Sequence, residues 1–153
     1  MTRQTYTFKA VGDCEIRADV YSPASGGARP GIVWIHGGAL ISGSREVIQP
    51  GQLANYLEAG YVLISVDYRL APETKLPEII QDLRDAFQWV RERGPGLCGV
   101  DPNRLGVIGH SAGGYLTLMS GCCVAPSPQA LVTFYGSSTW PKLKCHQETT
   151  ASV

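Results

Sequence analysis

The stretch "RLGVIGHSAGGYLTLMSG", residues 104–121, decides how the rest of the chain is interpreted. It opens with a short apolar run that is typical of a buried strand and continues into the apolar pattern of a helix. Ser111 lies at the junction of the two, inside the pattern G-x-S-x-G. A sharp strand-to-helix turn leaves the hydroxyl of such a serine standing out from the backbone, so Ser111 is the candidate nucleophile.

Two glycines, Gly109 and Gly113, flank this serine, and we expect side chains at either position to collide with neighbouring backbone. The backbone N–H of Ala112 lies at the start of the predicted helix and points towards the hydroxyl, where it can stabilise an oxyanion. A tight glycine-containing turn without any chemistry is the alternative interpretation. A second glycine-rich segment of the chain weighs against that alternative.

The second segment is "WIHGGALISGS", residues 34–44, which leaves another predicted buried strand. Loops of the H-G-G-G type in this place offer backbone N–H groups to a developing oxyanion. Ala39 stands where the third glycine would be, and its backbone N–H remains a donor if its conformation is allowed. The alternatives are a simple turn at Gly37 and Gly38 and, for His36, a histidine that pins the loop through hydrogen bonds.

Strands and helices alternate along the chain. An antiparallel strand pair is predicted at residues 5–9 and 15–21. Buried strands are predicted at residues 31–37, 61–68, 104–110 and 130–136, and helices at residues 47–60, 78–93 and 112–123. The first of these helices either holds Pro50 in its first turn or starts at that proline. This alternation predicts the α/β fold class, with a mostly parallel sheet, right-handed crossovers and helices on both faces.

Composition excludes several classes of function. The 153 residues fit one domain, and a hydrophobic fraction of 44% supplies a core. Thirteen basic residues balance thirteen acidic ones without a basic stripe, which argues against nucleic acid and anionic membranes as partners. No apolar run approaches the roughly 20 residues of a membrane span, and the charged N-terminal residues do not form a signal peptide.

The five cysteines indicate a reducing environment. Their odd number and the absence of a C-x-x-C pattern argue against a disulfide framework or a zinc cage, so we expect a cytoplasmic location. The adjacent Cys122 and Cys123 are expected to pack as small apolar residues on a helix.

Four motifs in this order resemble the α/β-hydrolase superfamily, specifically the hormone-sensitive-lipase-like carboxylesterases. They are His-Gly-Gly-Ala at residues 36–39, Asp-Tyr-Arg-Leu-Ala-Pro-Glu at 67–73, Asp-Pro-Asn-Arg at 101–104 and Gly-His-Ser-Ala-Gly-Gly at 109–114. The similarity extends roughly from Thr5 to Gly136 and implies the α/β-hydrolase fold. Asp67, Arg69 and Asp82 are interpreted as structural, with Asp67 and Arg69 either pairing or bracing nearby loops.

The resemblance also implies a chemistry. It makes Ser111 the nucleophile, with Gly38, Ala39 and Ala112 donating to the oxyanion and Gly37 shaping the loop. It implies hydrolysis of small carboxylic esters with short acyl chains, without a metal or an organic cofactor. In this family the triad acid and the triad histidine follow the serine, in that order.

Those two partners are not found at the expected places. After Ser111 the chain has no aspartate, and its later carboxylate and histidine, Glu148 and His146, come in reversed order in an aperiodic tail. We therefore expect a partial α/β-hydrolase domain over residues 1–136, with the last strands missing, and an irregular tail over residues 137–153. His146 is either a substitute base that reaches back to Ser111 or part of a solvated tail.

Three functions remain open from the sequence. The chain is a working esterase, a non-catalytic remnant that binds small ligands, or a piece of a longer gene product. An apolar strand at residues 130–136 would form the edge of such a partial sheet, so we also expect self-association through it.

Overall fold

The computed structural model describes residues 2–23 and 27–135, which form one six-stranded sheet with helices on both faces. The strands are β1 Thr2–Val11, β2 Cys14–Ser22, β3 Arg29–Ile35, β4 Val62–Val66, β5 Val100–His110 and β6 Ala130–Phe134. The helices are α1 Pro50–Glu58, α2 Leu76–Cys98 and α3 Ala112–Cys123, and a 3₁₀ helix covers Arg45–Val47. In the part of the chain that the structure describes, no helix is long and apolar enough to cross a membrane.

The strand order across the sheet is β1-β2-β4-β3-β5-β6. β1 and β2 form an antiparallel pair at one end, and β2 is also antiparallel to β4. The pairs β4–β3, β3–β5 and β5–β6 are parallel. The predicted α/β fold with a mostly parallel sheet is confirmed, and the carboxyl ends of β3, β4 and β5 meet at one edge, where the loops of interest begin.

Apolar side chains on the two faces of the sheet build two cores. The larger core packs α2 and α3 against one face, and it includes the predicted apolar face of α2. The members of that face are Ile79, Leu83, Ala86, Phe87 and Val90. On the other face α1 packs Leu53, Tyr56 and Leu57 against Trp34 and Ile108. Both cores rest on β3, which places this strand at the centre of the molecule.

The predicted end of the helix that begins near residue 78 is wrong. α2 continues to Cys98, five residues beyond the predicted end at Arg93, and carries Pro95 inside its last turn. The helix ends at Gly99, whose left-handed backbone (φ 69°) lets its N–H donate to the carbonyl of Pro95. The helix predicted at residues 47–60 corresponds to α1, which starts at Pro50, as one of the two alternatives for this proline required.

The expectation that both adjacent cysteines pack as small apolar residues is wrong for Cys122, whose side chain is exposed. Consecutive helical residues point about 100° apart, so a helix that packs one side chain of such a pair turns the other away. Cys123 is half-buried against the larger core.

Asp82, fully buried on α2, holds the outer strand and a loop against that helix. Its carboxylate accepts hydrogen bonds from Lys9 Nζ at 2.6 Å and from Arg69 Nε and Nη2 at 2.8 Å each. Burial disfavours the charged amine of Lys9, but the hydrogen bonds to Asp82 and Asp85 raise its pKa overall. The structural role expected of Asp82 and Arg69 agrees with these contacts.

Replacing Asp82 should destabilise the fold strongly. Asp82→Ala leaves two cations without their shared carboxylate, so we expect the free energy of unfolding to fall by about 3 kcal/mol. Urea denaturation measures this change. The matched control is Glu15→Ala, which removes a carboxylate from the exposed ion pair with Arg17 and should leave stability almost unchanged. Similar losses in both variants would contradict the assignment.

Candidate active site

Ser111 occupies the turn between β5 and α3 in a strained backbone conformation, with φ 54° and ψ −117°. The residue is exposed, so its hydroxyl is accessible. Its backbone is held on both sides: the N–H donates to the carbonyl of Phe134 at 2.8 Å, and the carbonyl accepts from the N–H of Tyr115 at 3.1 Å. The strain at Ser111 is therefore maintained by β6 and by the first turn of α3.

Gly109 and Gly113 are glycines because other backbone lies where their side chains would be. A Cβ on Gly109 would lie 2.1 Å from the carbonyl oxygen of Gly113, and a Cβ on Gly113 would lie 2.2 Å from that of Ile35. Both distances are far below a van der Waals contact. The second distance shows that the backbone at the start of α3 packs directly against the end of β3. This contact brings the serine turn beside the loop that leaves β3.

That loop, residues 36–44, begins directly against the serine. A Cβ built on Gly37 would lie 3.3 Å from the Cβ of Ser111 and 2.8 Å from the carbonyl oxygen of His110. Ala39 and Leu40 follow with left-handed backbones, at φ 54° and 66°. An alanine in this region costs roughly 1–2 kcal/mol, so the surroundings must hold the conformation.

The turn within the loop closes on the carbonyl of Gly38, which accepts hydrogen bonds from the N–H groups of Ile41 at 2.9 Å and Ser42 at 3.0 Å. Gly38 is half-exposed and Ala39 is exposed. Both residues therefore reach the molecular surface, on a loop whose Gly37 lies against the serine turn.

The side chains of His36 and His110 contact residues other than Ser111. His36 is buried, its ring stacks on Tyr68 with 4.2 Å between centroids, and its Nδ1 lies 2.7 Å from the carbonyl oxygen of Gly37. His110 stacks on Phe134 and lies 3.2 Å from Gln52 of α1. Burial lowers the pKa of both imidazoles. Of the residues named from the sequence, Gly37 meets Ser111, Ala112 follows Ser111 directly, and His146 lies outside the described residues.

Arg45 is a residue that the sequence analysis missed. It starts the 3₁₀ helix at the end of the loop and pairs with Asp67, which the sequence left either paired with Arg69 or bracing a loop. Arg69 instead binds Asp82. An arginine shortly after a glycine-rich loop was the available signal, but its partner is distant in sequence.

The sheet order, the serine turn and the adjoining glycine-rich loop can be compared with known proteins. The BD-FAE family model matches residues 18–144. The chain belongs to the BD-FAE family. This family is an esterase-like branch of the α/β-hydrolases, so the resemblance seen in the sequence motifs is confirmed.

Curated relatives of this BD-FAE chain are large fungal synthases. It is 37% identical over 150 residues to the non-reducing polyketide synthase atr1 of Stereocaulon alpinum, which covers 90% of the chain and 6% of the synthase. It is 35% identical over 144 residues to the non-reducing polyketide synthase stbA of Stachybotrys bisbyi, again covering 6% of the relative. The chain therefore spans a small part of the proteins it matches.

Solved structures similar to the BD-FAE chain are esterases. Esterase 2 of Thermogutta terrifontis phosphorylated by paraoxon superposes with a TM-score of 0.78 at 27% identity, covering 88% of this chain and 57% of that one. The same esterase with propionate bound gives a TM-score of 0.73 at 28% identity, covering 83% of this chain and 48% of that one. These structures confirm the α/β-hydrolase fold.

Acid should destabilise the folded chain through His36. Burial holds the pKa of this imidazole below its ordinary 6.5, so below about pH 6.5 the unfolded chain binds more protons than the folded one. The contribution of His36 to the free energy of unfolding is thus complete above that pH and is lost as the pH falls towards the folded-state pKa. Denaturation at a series of pH values measures the slope.

His36→Asn should reduce this slope without abolishing it, because burial lowers the pKa of His110 in the same direction. Only the dependence on pH is compared, since the substitution also removes contacts at every pH. Identical slopes in the variant and the parent protein would show that His36 is not the group responsible.

Proposed function

We propose that the chain is a serine carboxylic-ester hydrolase that acts on small esters with short acyl chains. Ser111 is the nucleophile, and the backbone N–H groups of Gly38, Ala39 and Ala112 stabilise the oxyanion. The observation that carries this proposal is the exposed, strained Ser111 directly against Gly37 of the glycine-rich loop. The esterase fold and the propionate and butyrate bound by Thermogutta terrifontis esterase 2 support the substrate class.

The reaction follows from these positions. The oxygen of Ser111 bonds to the carbonyl carbon, and the carbonyl oxygen becomes an oxyanion that the amides bind more tightly than the neutral group. The alcohol then leaves with a proton, and water cleaves the acyl-serine ester. Pre-oriented amides need no reorganisation during these steps, so they lower the barrier even when the base is weak.

The proton of the hydroxyl needs an acceptor, since an unassisted serine is a poor nucleophile. His146 is our candidate for this base, and the turnover rate of His146→Ala tests this role. Nδ1 of His36 faces the carbonyl of Gly37 and Nε2 of His110 faces Gln52, so neither histidine is proposed as the base. Without a base, the oxyanion donors still support slow turnover.

A second function is the binding of small acyl or carbonyl ligands without turnover. It is favoured because the imidazoles of His36 and His110 contact other residues, so neither serves as a base for Ser111. The nucleophile turn and the amides of the loop would then bind a carbonyl group that is not cleaved.

Paraoxon should label Ser111 selectively. The serine oxygen bonds to phosphorus, the bond to 4-nitrophenolate breaks, and the hydroxyl proton passes to the base or to water. We expect one diethylphosphoryl group by intact mass and hydrolysis of 4-nitrophenyl butyrate, with both lost in Ser111→Ala. Ser127→Ala, which alters an exposed serine outside the proposed site, is the matched control.

The outcomes separate the two functions. Labelling with slow turnover that His146→Ala lowers further would support the esterase and its base. Labelling without turnover would favour the binding protein. Equal labelling of the parent protein and Ser111→Ala would exclude Ser111 as the nucleophile.

We also propose that β6 pairs with a second copy of the chain. β6 is the last strand of the sheet in the described part of the chain, and Leu131, Val132 and Phe134 are each about two-fifths exposed. Tyr135, which follows the strand, is 91% exposed. Apolar side chains on a terminal strand are typical of a surface that another chain covers.

Sedimentation at micromolar concentration should therefore detect dimers or larger species. Val132→Lys should shift the protein towards monomer, because a charge on an edge strand opposes pairing. The control is Val47→Lys, which changes an exposed valine of the 3₁₀ helix that is not part of β6. It should leave the assembly intact. A monomeric parent protein would rule out this interface.

A further inference from the structure

The segment that follows β4, residues 67–71, holds the glycine-rich loop at three places along its length. At the start of the loop, the hydroxyl of Tyr68 donates a hydrogen bond to the carbonyl of His36 at 3.0 Å. The two rings also stack almost in parallel, with an interplanar angle of 8°. The first residue of the loop is thus fixed both through its backbone and through its side chain.

The middle of the loop is held by a backbone hydrogen bond. The N–H of Ala71 donates to the carbonyl of Leu40 at 2.8 Å. Leu40 is buried and is one of the two consecutive left-handed residues of the loop. This bond therefore acts directly on the strained part of the backbone, next to Ala39.

The end of the loop is held by charge. Asp67 accepts a hydrogen bond from the backbone N–H of Arg45 at 2.8 Å on one carboxylate oxygen, and from Nη1 of the same arginine at 2.7 Å on the other. The carbonyl of Arg45 accepts from the hydroxyl of Ser65 at 2.6 Å. The main chain and the side chain of Arg45 are thus bound together to the end of β4.

A second acid supports this arginine from the sheet. Nε of Arg45 lies 3.1 Å from an oxygen of the buried Asp19, and the same carboxylate accepts hydrogen bonds from Thr5 at 2.6 Å and Arg3 at 2.8 Å. Arg45 is largely buried, with 14% of its side chain exposed. A cation in this position needs both acids, because a buried charge without a partner is costly.

We propose that Asp67 is a positioning residue that, through Arg45, sets where the amides of Gly38 and Ala39 point. This inference rests on the proposed esterase function. A strained backbone persists only where its surroundings hold it in place. The left-handed Ala39 and Leu40 lie between the part of the loop that Tyr68 binds and the part that Asp67 binds. Releasing the end of the loop lets these residues relax, which moves the proposed oxyanion donors away from Ser111.

The test compares Asp67→Asn and Asp67→Ala in the full chain. Asparagine keeps an acceptor for the N–H of Arg45 but loses the negative charge, whereas alanine loses both. We expect the rate of phosphorylation of Ser111 by paraoxon to fall in the order parent, Asn, Ala, by tenfold to a hundredfold for alanine, because small displacements of positioned groups carry costs of that order. Glu15→Gln, in the exposed ion pair with Arg17, is the matched control and should match the parent protein.

Hydrogen exchange of the peptide covering residues 37–44 is the second measurement. We expect its amides, including those of Ile41 and Ser42 that bond to Gly38, to exchange on the order of tenfold faster in Asp67→Ala, as local opening becomes easier. Exchange in α2 should stay as in the parent protein. Asp67→Glu, which keeps the charge, should restore much of the protection.

The results distinguish this inference from the proposed function. If the parent protein is not labelled by paraoxon, the esterase proposal fails, while loop exchange still decides whether Asp67 positions the loop. If Asp67→Ala lowers stability but leaves loop exchange and labelling equal to those of Glu15→Gln, Asp67 has only a general structural role and the inference is overturned.

Discussion

The contact between the start of α3 and the end of β3 controls the geometry of the site. Gly113 lies so close to the carbonyl of Ile35 that a single methyl group would not fit between them. This contact sets the angle at which the chain leaves β5, and with it the strained conformation of Ser111. The glycine-rich loop begins one residue after the same carbonyl, so the serine and the loop are positioned by one close approach of backbone.

Much of this arrangement could be predicted from the sequence, because its causes are local. The apolar runs of β3 and β5, the glycines around Ser111 and the apolar face of α2 all depend on neighbours a few residues apart. Local patterns of this kind report secondary structure and sharp turns directly. The order of elements and the class of fold followed from them.

What could not be predicted depends on contacts between distant residues. Arg45 becomes important only once β2 and β4 are neighbours, which brings Asp19 beside Ser65 across the sheet. Nothing near Arg45 in the sequence indicates that the distant Asp19 and Asp67 both pair with its guanidinium. The end of α2 was missed for a local reason: Gly94 and Pro95 predict a helix end, whereas the helix continues to the left-handed cap at Gly99.

The hydrogen bond from the N–H of Ser111 to the carbonyl of Phe134 connects the last described strand to the proposed nucleophile. The Phe134 ring of β6 also stacks on His110, the residue before the serine. Any strand that restrains β6 from outside would therefore restrain Ser111 as well. If binding of a partner at β6 changes the affinity of the site at Ser111 for a ligand, then by reciprocity that ligand changes the affinity of β6 for the partner by the same factor.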